Sequence, residues 1–362
     1  MGLLEFTNFT VPDVVKKSIP SFYAKDPVLD ALRAKNKVIR SGGTNVRVPR
    51  IKSGHSDISE ISATNIEIPL AKKDTFDYIY GDWARYVKPI ILPHLDRDRM
   101  QSNQDKKRWV QDTTQAVLQS FRNNVSRQLY VGDVAALSGL GSLNGFQTSL
   151  STDGFTNGAL RFQTPTAQAA AGITYMNLER TEDTTNDENN WYNQFGDHGG
   201  MAGGSYFTVA ETVKITADSY AEDDEGISMG VCSIATHVAL GDALRLYGGT
   251  NSRAIVYRPD DLDAGKAHKT VHVAGGIKYF SNRFMTEARM DATSSSVGSE
   301  HVYLLNPNGL QLWVNANNEF RVSKFSDHLQ HGNMDADVGY VFLEIQFAVP
   351  SLVTQGCVFD VA

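Results

Sequence analysis

The sequence SNQDKKRWVQDTTQAVLQSFRNNVSRQLYVG, residues 102–132, predicts a single long helix. Ser102 and Asp105 have the spacing of a capping box, in which two side chains three positions apart satisfy the first backbone N–H groups of a helix. Gly132 is a typical residue just past a helix end. Apolar residues recur at sevens and fours on one face, at Val110, Val117, Phe121 and Val125. At 1.5 Å per residue the helix is about 45 Å long, so it should act as the main structural rod.

The residues before this helix predict an arm followed by an extended loop. Residues 1–36 show no strong period, and Asp26 followed by Pro27 predicts the start of one small helix. Residues 37–40, 45–51 and 76–80 predict short strands around a turn at 41–44, with a polar tip at 52–65. We therefore expect a twisted hairpin that closes near Trp83. Because a two-stranded ribbon is only marginally stable in water, it must lie against another surface.

The residues after the long helix predict an α+β region and then a strand-rich end. The polar, Gly-rich residues 181–204 predict a long surface loop. A helical segment that begins at 208, a strand over 228–234 and a second helix over 235–246 follow, with strands at 271–273 and 277–279. Further strands are predicted at 301–305 and 310–313. A pair of long strands is predicted at 319–325 and 340–349, joined by a polar loop over 327–337.

Composition and charge exclude several classes of protein. The 362 residues are 41% hydrophobic, enough for an ordinary core, and length alone suggests two or three domains. A net charge of −7 argues against nucleic-acid binding as the main function, although it is compatible with non-specific contact with DNA. No apolar run approaches the roughly 20 residues of a membrane span, so we expect no membrane partner.

The N-terminus and the cysteines indicate a reducing cytoplasm. The segment Met1–Phe6 lacks the basic residues and long apolar stretch of a secretory signal, so we expect synthesis and folding in a cytoplasm. Cys232 and Cys357 are far apart and match no metal-binding spacing. We therefore expect two buried thiols rather than a disulfide.

One string matches a catalytic motif. The sequence GISMG, residues 226–230, fits the G-x-S-x-G pattern of a hydrolase with Ser228 as nucleophile. That chemistry requires an apolar strand directly before the serine and a helix directly after it. Here the acidic residues 221–225 precede the motif, and the apolar strand follows it. A structural explanation of the string is therefore favoured over catalysis.

The other candidate sites also have structural explanations. His328 and His331, near Asp335 and Asp337, could ligate a metal, but no helix frames them and no third histidine is near. The acidic runs at 183–188 and 222–225 lack the spacing of a calcium loop, and residues 139–144 lack the third glycine of a dinucleotide motif. The basic residues of the long helix favour solvation and ion pairs over a DNA site; they are Lys106, Lys107, Arg108, Arg122 and Arg127. The sequence thus predicts no catalytic, cofactor-binding or metal residue, no cofactor, and a protein that is not an enzyme.

Several short segments occur in the order found in one protein family. Residues 143–146 (LNGF) are similar to a "gLnGl" turn, and residues 171–175 (AGITY) with 178–180 (LER) are similar to a "yGGidR" segment. Residues 301–306 (HVYLLN), 310–312 (LQL), 348–350 (AVP) and 355–356 (QG) are similar to a closing "vyllN…l.l…q.av.nPr..G" pattern. The chain thereby resembles the major capsid proteins of tailed bacteriophages, which have the Hong Kong 97-like fold.

The resemblance implies an α+β chain with four parts. They are an N-terminal arm at 1–36, an extended β-hairpin loop at 37–84, a peripheral domain at 85–140 and 300–350 built on the spine helix 102–131, and an axial α+β domain at 141–299 and 351–362. In this family the arm and loop lie over neighbouring subunits. The implied function is a structural subunit that assembles into hexamers and pentamers, forming the icosahedral head around the phage genome.

The resemblance also implies partners and a location. The partners are further copies of the chain, a separate scaffolding protein, a portal and a possible decoration protein, and the location is the virion after assembly in the host cytoplasm. One alternative is an encapsulin-like nanocompartment shell, which electron microscopy of particle size and cargo would distinguish. A second is a serine hydrolase using Ser228, which a serine-reactive probe would detect.

Overall fold

A computed structural model gives the architecture of the chain. It describes residues 3–24, 26–51, 76–99, 102–131, 143–146, 159–160, 165–169, 174–182, 190–198, 205–221, 226–247, 255–256, 271–287, 301–327 and 335–359. The tip of the predicted hairpin at 52–65 lies outside these residues, and so do the acidic runs 183–188 and 222–225.

Helices occur at the N-terminus and in the middle of the chain. In chain order they are α1 (Leu3–Ala24), α2 (Pro27–Ala34), α3 (His94–Arg99), α4 (Asn103–Val131), α5 (Pro165–Gln168), α6 (Ser205–Ser219) and α7 (Ile234–Tyr247). Among the described residues, no helix is long and apolar enough to cross a membrane.

Strands fill most of the remaining described residues. They are β1 (Val38–Ser41), β2 (Asn45–Ile51), β3 (Phe76–Asp82), β4 (Ala84–Pro93), β5 (Thr174–Tyr175), β6 (Leu178–Glu179), β7 (Gln194–Asp197), β8 (Met229–Cys232), β9 (Ile255–Val256), β10 (His272–Ala274), β11 (Ile277–Ser281), β12 (Val302–Leu305), β13 (Gln311–Asn315), β14 (Arg321–Val322), β15 (Ser326–Asp327), β16 (Ala336–Ala348) and β17 (Gly356–Phe359).

The long helix is α4, and its predicted start and buried face are confirmed. The Ser102 hydroxyl accepts a hydrogen bond from the Asp105 backbone N–H at 3.1 Å and donates to the Asp105 carboxylate at 2.6 Å. The first bond is the N-cap contact of a capping box, and the second joins the two side chains of the box directly. The predicted apolar face is buried, and its members are Val110, Val117, Phe121 and Val125.

The prediction of an arm with only one small helix was wrong. Residues 3–24 form α1, a helix of 22 residues that packs along α4 and contributes Val11, Val15 and Phe22 to the main core. The predicted small helix is α2, and Asp26 caps it by accepting hydrogen bonds from the first backbone N–H groups. Two interior prolines weaken the sequence signal of α1, because each removes a helical hydrogen bond. Packing on α4 supplies the stability that the sequence pattern does not show.

Asp26 also joins three parts of the chain. Its carboxylate is buried and accepts hydrogen bonds from the α2 backbone, from two side chains of α4 and from the residue after β11; the side chains are Ser126, Tyr130 and Asn282. Burial raises the pKa of the Asp26 carboxyl above its usual value, although these hydrogen bonds oppose the shift. The N-terminal segment is therefore an integral part of the core in this structure.

The first sheet is six-stranded and centres on β16. Strand β16 pairs antiparallel with β4 over ten residue pairs, from Ala336 opposite Pro93 to Ile345 opposite Ala84. It also pairs with β13, β14 and β15, while β1 joins β13 in parallel. The predicted long strand at 319–325 was wrong, since only the short strands β14 and β15 form there. The long partner of β16 is β4, which lies far away in sequence.

The hairpin prediction was correct for one pair of strands and wrong for another. Strands β2 and β3 pair antiparallel in register from Asn45 opposite Asp82 to Ile51 opposite Phe76. Strand β1 does not continue this ribbon across the turn at 41–44, because it pairs with β13 instead. The segment before the turn thus belongs to the six-stranded sheet, and the segment after it belongs to the ribbon.

The second sheet has seven strands in the order β7-β17-β12-β8-β11-β10-β9. Helices α6 and α7 pack on one face, where Val213 and Leu240 belong to a separate apolar cluster with Tyr279. The opposite face, which includes Tyr303, joins the main core next to α4. The strands and helices predicted between 208 and 279 are confirmed. The sheet therefore lies between two layers of helix.

Two segments occupy positions in this sheet that differ from expectation. Residues 190–198, predicted as part of a surface loop, include buried Trp191 and strand β7, which pairs in parallel with β17. Strand β12, assigned by sequence to the peripheral part at 300–350, pairs with β8 and β17 in the seven-stranded sheet. Both segments pair with β17, which lies far from each of them in the sequence.

Candidate inter-subunit surface

The ribbon formed by β2 and β3 has one buried and one exposed face, because successive side chains alternate along a strand. Val46, Val48 and Ile79 point into the main core. Arg50 on the same face is also buried, and its guanidinium donates to the Asn190 carbonyl at 3.0 Å and lies 4.4 Å from the Trp191 ring centre. Burial lowers the pKa of Arg50 to about 10.

The β5–β6 turn fixes the base of the ribbon. The Tyr80 backbone N–H donates to the Met176 carbonyl at 3.1 Å. A Cβ atom at Gly81 would come within 2.6 Å of the Met176 methyl group, so glycine permits this close approach. The base of the ribbon is therefore held against its own subunit. The sequence predicts that the ribbon must lie against another surface. At the base of the ribbon, that surface belongs to the same chain.

The outer face of the ribbon carries aromatic side chains exposed to solvent. Phe76, Tyr78 and Tyr80 are 55%, 38% and 39% exposed. The Arg47 guanidinium lies 3.8 Å from the Tyr78 ring centre and 5.4 Å from that of Tyr80, which is cation–π geometry. We call these four residues the aromatic stripe. Aromatic residues and arginine are the types enriched in protein–protein interfaces.

The six-stranded sheet exposes a second apolar surface along β4 and β16. Val87, Ile91 and Tyr340 are exposed on the same face of this strand pair. Arg321 covers part of Phe342 at 4.7 Å from its ring centre. An exposed apolar surface of this kind marks a site of association with another protein surface. Chemically, both surfaces can bury apolar area against a protein, and neither brings reactive groups together.

The structure explains the G-x-S-x-G string without catalysis. A Cβ atom at Gly226 would lie 1.8 Å from an oxygen of Asp218, whose carboxylate accepts the Ile227 backbone N–H at 2.7 Å. A Cβ atom at Gly230 would lie 2.5 Å from the Tyr279 ring. The Ser228 backbone pairs on both sides, donating to the Leu305 carbonyl at 3.2 Å and accepting from the Lys278 N–H at 3.0 Å. Both glycines are therefore required by packing.

This explanation predicts opposite outcomes for two neighbouring substitutions. Ser228→Ala should leave the thermal midpoint and any assembly unchanged, because the exposed Ser228 contributes only backbone bonds. Gly226→Ala should lower the midpoint, because the new methyl group must displace Asp218 from its bond to the Ile227 N–H. Differential scanning calorimetry measures both. Loss of an esterase or protease activity in Ser228→Ala would contradict a structural role for the motif.

The predicted metal candidates are only partly described. His328 and His331 lie outside the described residues. Asp335 and Asp337 both contact His94, with Nδ1 to Asp335 at 2.6 Å and Nε2 to Asp337 at 3.2 Å. Because the two ring nitrogens point in different directions, the two carboxylates do not converge with one nitrogen on a common point. Within the described ranges, no group of three His, Cys, Asp or Glu side chains has the arrangement of a metal site.

Other candidates are placed as follows. Cys232 and Cys357 are buried free thiols, and burial raises the pKa of each far above its usual value. Arg122 is half-buried, and the pKa of its guanidinium is lowered by burial and by Arg283. Of residues 139–144, only Leu143 and Asn144 are described, in a turn against the C-terminal end of α4. The acidic run 222–225 lies outside the described residues.

The segments that resemble capsid proteins form buried contacts. Asn306 and Gln355 lock two strands together, since the Gln355 amide accepts the Asn306 N–H at 2.8 Å and donates to its carbonyl at 3.1 Å. A Cβ atom at Gly145 would come within 2.4 Å of the Leu129 carbonyl, so the LNGF turn packs directly on the end of α4.

Sequence reasoning did not identify the most deeply buried charged side chain of these segments, Arg180. Its guanidinium bonds to Gln168 at 2.6 Å, to Asn193 at 3.2 Å and to the Ala159 carbonyl at 2.9 Å. Its position at the end of the "yGGidR"-like segment was the available signal. This arginine joins four separate segments and has a structural role.

Comparison with solved structures places this architecture among phage-type shells. The cyanophage A-1(L) capsid asymmetric unit matches with a TM-score of 0.55 at 13% identity, covering 93% of each chain. The capsids of native and empty GTA particles each match with a TM-score of 0.50, at 13% and 14% identity, covering 92% of this chain and 90% of theirs. No model of a protein family and no curated protein matches the chain. The chain therefore has the fold of these capsid subunits, the Hong Kong 97-like fold that its sequence predicts.

Proposed function

We propose that the chain is the major capsid protein of a tailed phage, assembling into hexamers and pentamers of an icosahedral head around the genome. The observation that carries the proposal is the aromatic stripe, an exposed interface-like surface on a ribbon in a fold shared with capsid subunits over nearly the whole chain. A second copy supplies the protein surface that the stripe needs. The role is structural rather than enzymatic.

The proposed contact lies between the aromatic stripe of one subunit and the exposed β4–β16 surface of the next. Both surfaces are apolar, and Arg47 gives the stripe a positive charge. Head-to-tail contacts between two different surfaces close into rings when the rotation between subunits allows it. Many modest contacts then give a strong shell, because each further contact forms within an assembly that already holds its partners.

We propose the following parts and partners. Residues 85–140 and 300–350 form the peripheral domain, and residues 141–299 and 351–362 form the axial domain. Strand β12, at the start of the segment 300–350, connects the two, because it pairs with β8 and β17. Residues 37–84 form the extended loop. Within the N-terminal segment 1–36, helix α1 packs on α4 of the same subunit. In a shell this segment would also contact neighbouring subunits. A separate scaffolding protein, a portal, a decoration protein and non-specific contact with packaged DNA complete the proposal.

Assembly is the direct test. The purified chain, concentrated alone or expressed with its scaffold, should form capsomers, shells or tubes visible by negative-stain electron microscopy. Only monomers under every such condition would contradict the proposal. An encapsulin-like compartment is the second candidate, favoured by the same fold, and it would be distinguished by small uniform particles that package protein rather than DNA.

A further inference from the structure

His94 lies at the far end of the β4–β16 strand pair, where α3 begins. Its backbone N–H donates to the Asp335 carbonyl at 3.1 Å, which extends the ladder by one bond beyond Pro93 opposite Ala336. Its ring lies between two carboxylates, with Nδ1 2.6 Å from Asp335 and Nε2 3.2 Å from Asp337. Asp335 is mostly exposed, whereas Asp337 is buried.

The chemistry of this contact requires a particular protonation state. An ionised carboxylate only accepts hydrogen bonds, and a neutral imidazole has one N–H to donate. Two carboxylates, one at each ring nitrogen, can therefore both accept a hydrogen bond from the ring only when the ring carries two protons. The pair of ring contacts is available to the imidazolium and is reduced to one when the ring loses a proton.

The surrounding charges also favour the imidazolium. From β16 and the residue before it, Asp337 and Asp335 contact the ring. In β15, Asp327 is opposite Asp337 in the strand register. On α3 itself, Asp96 and Arg99 are the described charged side chains. Among the described groups, the two carboxylates that contact the ring favour its positively charged form.

The contact holds a part of the molecule that presents apolar residues. Leu95 follows His94 directly and is 60% exposed, and Ile91, three residues before His94, is also exposed. The polypeptide leaves β4 here to form α3, and β16 begins directly opposite. We call this end of the β4–β16 pair, where α3 begins, the tip of the sheet. Loosening the His94 contacts changes how the tip is held and how Leu95 and Ile91 are exposed.

We propose that His94 is a proton-dependent clamp that fixes the tip of the six-stranded sheet by bridging Asp335 and Asp337. The clamp is closed while the ring carries both protons. As pH rises and the ring loses one proton, one of the two contacts is lost and the tip loosens. The clamp does not depend on the proposed shell function. In a shell, it would change how the β4–β16 surface is presented to the next subunit.

Ring NMR on the unassembled full-length chain tests the clamp directly. With ¹⁵N-histidine labelling, the His94 signal is assigned by its absence in His94→Gln. The ring should keep both protons at about pH 7.5, where a histidine of an unfolded chain, with a pKa of about 6.5, has lost one. Asp335→Asn should lower the titration midpoint. A midpoint at or below that of an unfolded chain, or one unchanged in Asp335→Asn, would overturn the proposal.

Hydrogen exchange gives a second measurement that does not require His94→Gln to fold. In the wild type, exchange at the residue 335–339 amides should rise between about pH 6 and pH 9 by about ten- to a hundredfold beyond the intrinsic pH effect, the factor expected for one lost hydrogen bond to a charged group. Asp335→Asn, which keeps the ring, should show a smaller rise. An equal rise in both proteins would show that the tip is not held through the imidazolium.

Discussion

A chain carrying both Tyr78→Ser and Tyr80→Ser should fold normally and form no closed shells. Both side chains are exposed and belong to the outer face of the ribbon, so their loss leaves the buried face of Val46, Val48 and Ile79 intact. Truncating a tyrosine or tryptophan that is a hot spot at the centre of an interface costs at least about 2 kcal/mol of binding free energy. This binding free energy is lost at two residues of every subunit contact, so the losses add up over the whole shell. Negative-stain microscopy and analytical ultracentrifugation measure the outcome.

The matched control is a substitution on the opposite face of the same strand. Ile79→Ala removes a fully buried side chain between the two tyrosines and should lower the thermal midpoint of the unassembled subunit. A change of about 2–5 kcal/mol is expected for such a buried truncation. Normal shells from the double tyrosine variant would contradict the assignment of the stripe as an inter-subunit surface. Unfolding of that variant would show that the stripe belongs to an intramolecular core.

Phe121→Ala should destabilise the subunit by about 3–5 kcal/mol, the usual cost of removing a fully buried phenylalanine. Phe121 is buried on α4 and contacts Phe320 edge to face, with ring centres 6.5 Å apart, and Phe320 in turn contacts Phe22 of α1 at 5.0 Å. The substitution therefore opens a cavity where α4, α1 and the segment before β14 meet. Because domains are stable by only about 5–15 kcal/mol, soluble yield should fall as well.

Chemical denaturation of the unassembled subunit measures this loss, with Gln115→Ala as the control. Gln115 is exposed on the same helix, so its replacement by alanine should change the free energy of unfolding by no more than about 0.5 kcal/mol. Equal stability of Phe121→Ala and wild type would show that the apolar face of α4 was assigned wrongly. A similar loss of stability in both variants would show that α4 is destabilised by substitution on either face. The loss in Phe121→Ala would then not be due to the packing of the buried face.

Elements with local signals could be predicted from the sequence. Ser102 and Asp105 mark the start of α4, and Asp26 with Pro27 marks the start of α2, because capping involves only neighbouring residues. Val341, Leu343, Ile345 and Phe347 alternate along β16, which places them on one face of the strand, and all four are buried. The order of short motifs was enough for the fold, which the comparison with capsid structures confirms. The shell function and its contacts remain proposals.

The candidate surface also has features that the local sequence predicted and contacts that it could not predict. The polar and aromatic alternation at 76–80 predicted a ribbon with apolar surface to cover, and Phe76, Tyr78 and Tyr80 are exposed. The sequence could not show that Arg47 stacks on two of these rings, because that contact crosses from β2 to β3. The acids Asp335 and Asp337 were noted as neighbours of two histidines. Their described partner is His94, some 240 positions earlier in the chain.

Strand pairing and the packing of α1 were decided only by the tertiary structure. The alternation of a strand such as β16 specifies which face is buried but not which strand lies beside it, so β4 was not identified as its partner. Helix α1, with Pro12 and Pro20 inside it, gains its stability from the surface of α4 rather than from its own periodicity. Backbone hydrogen bonds between strands are the same for every residue type except proline. Partner choice therefore depends on the shape of the assembled core, which a local stretch of sequence does not contain.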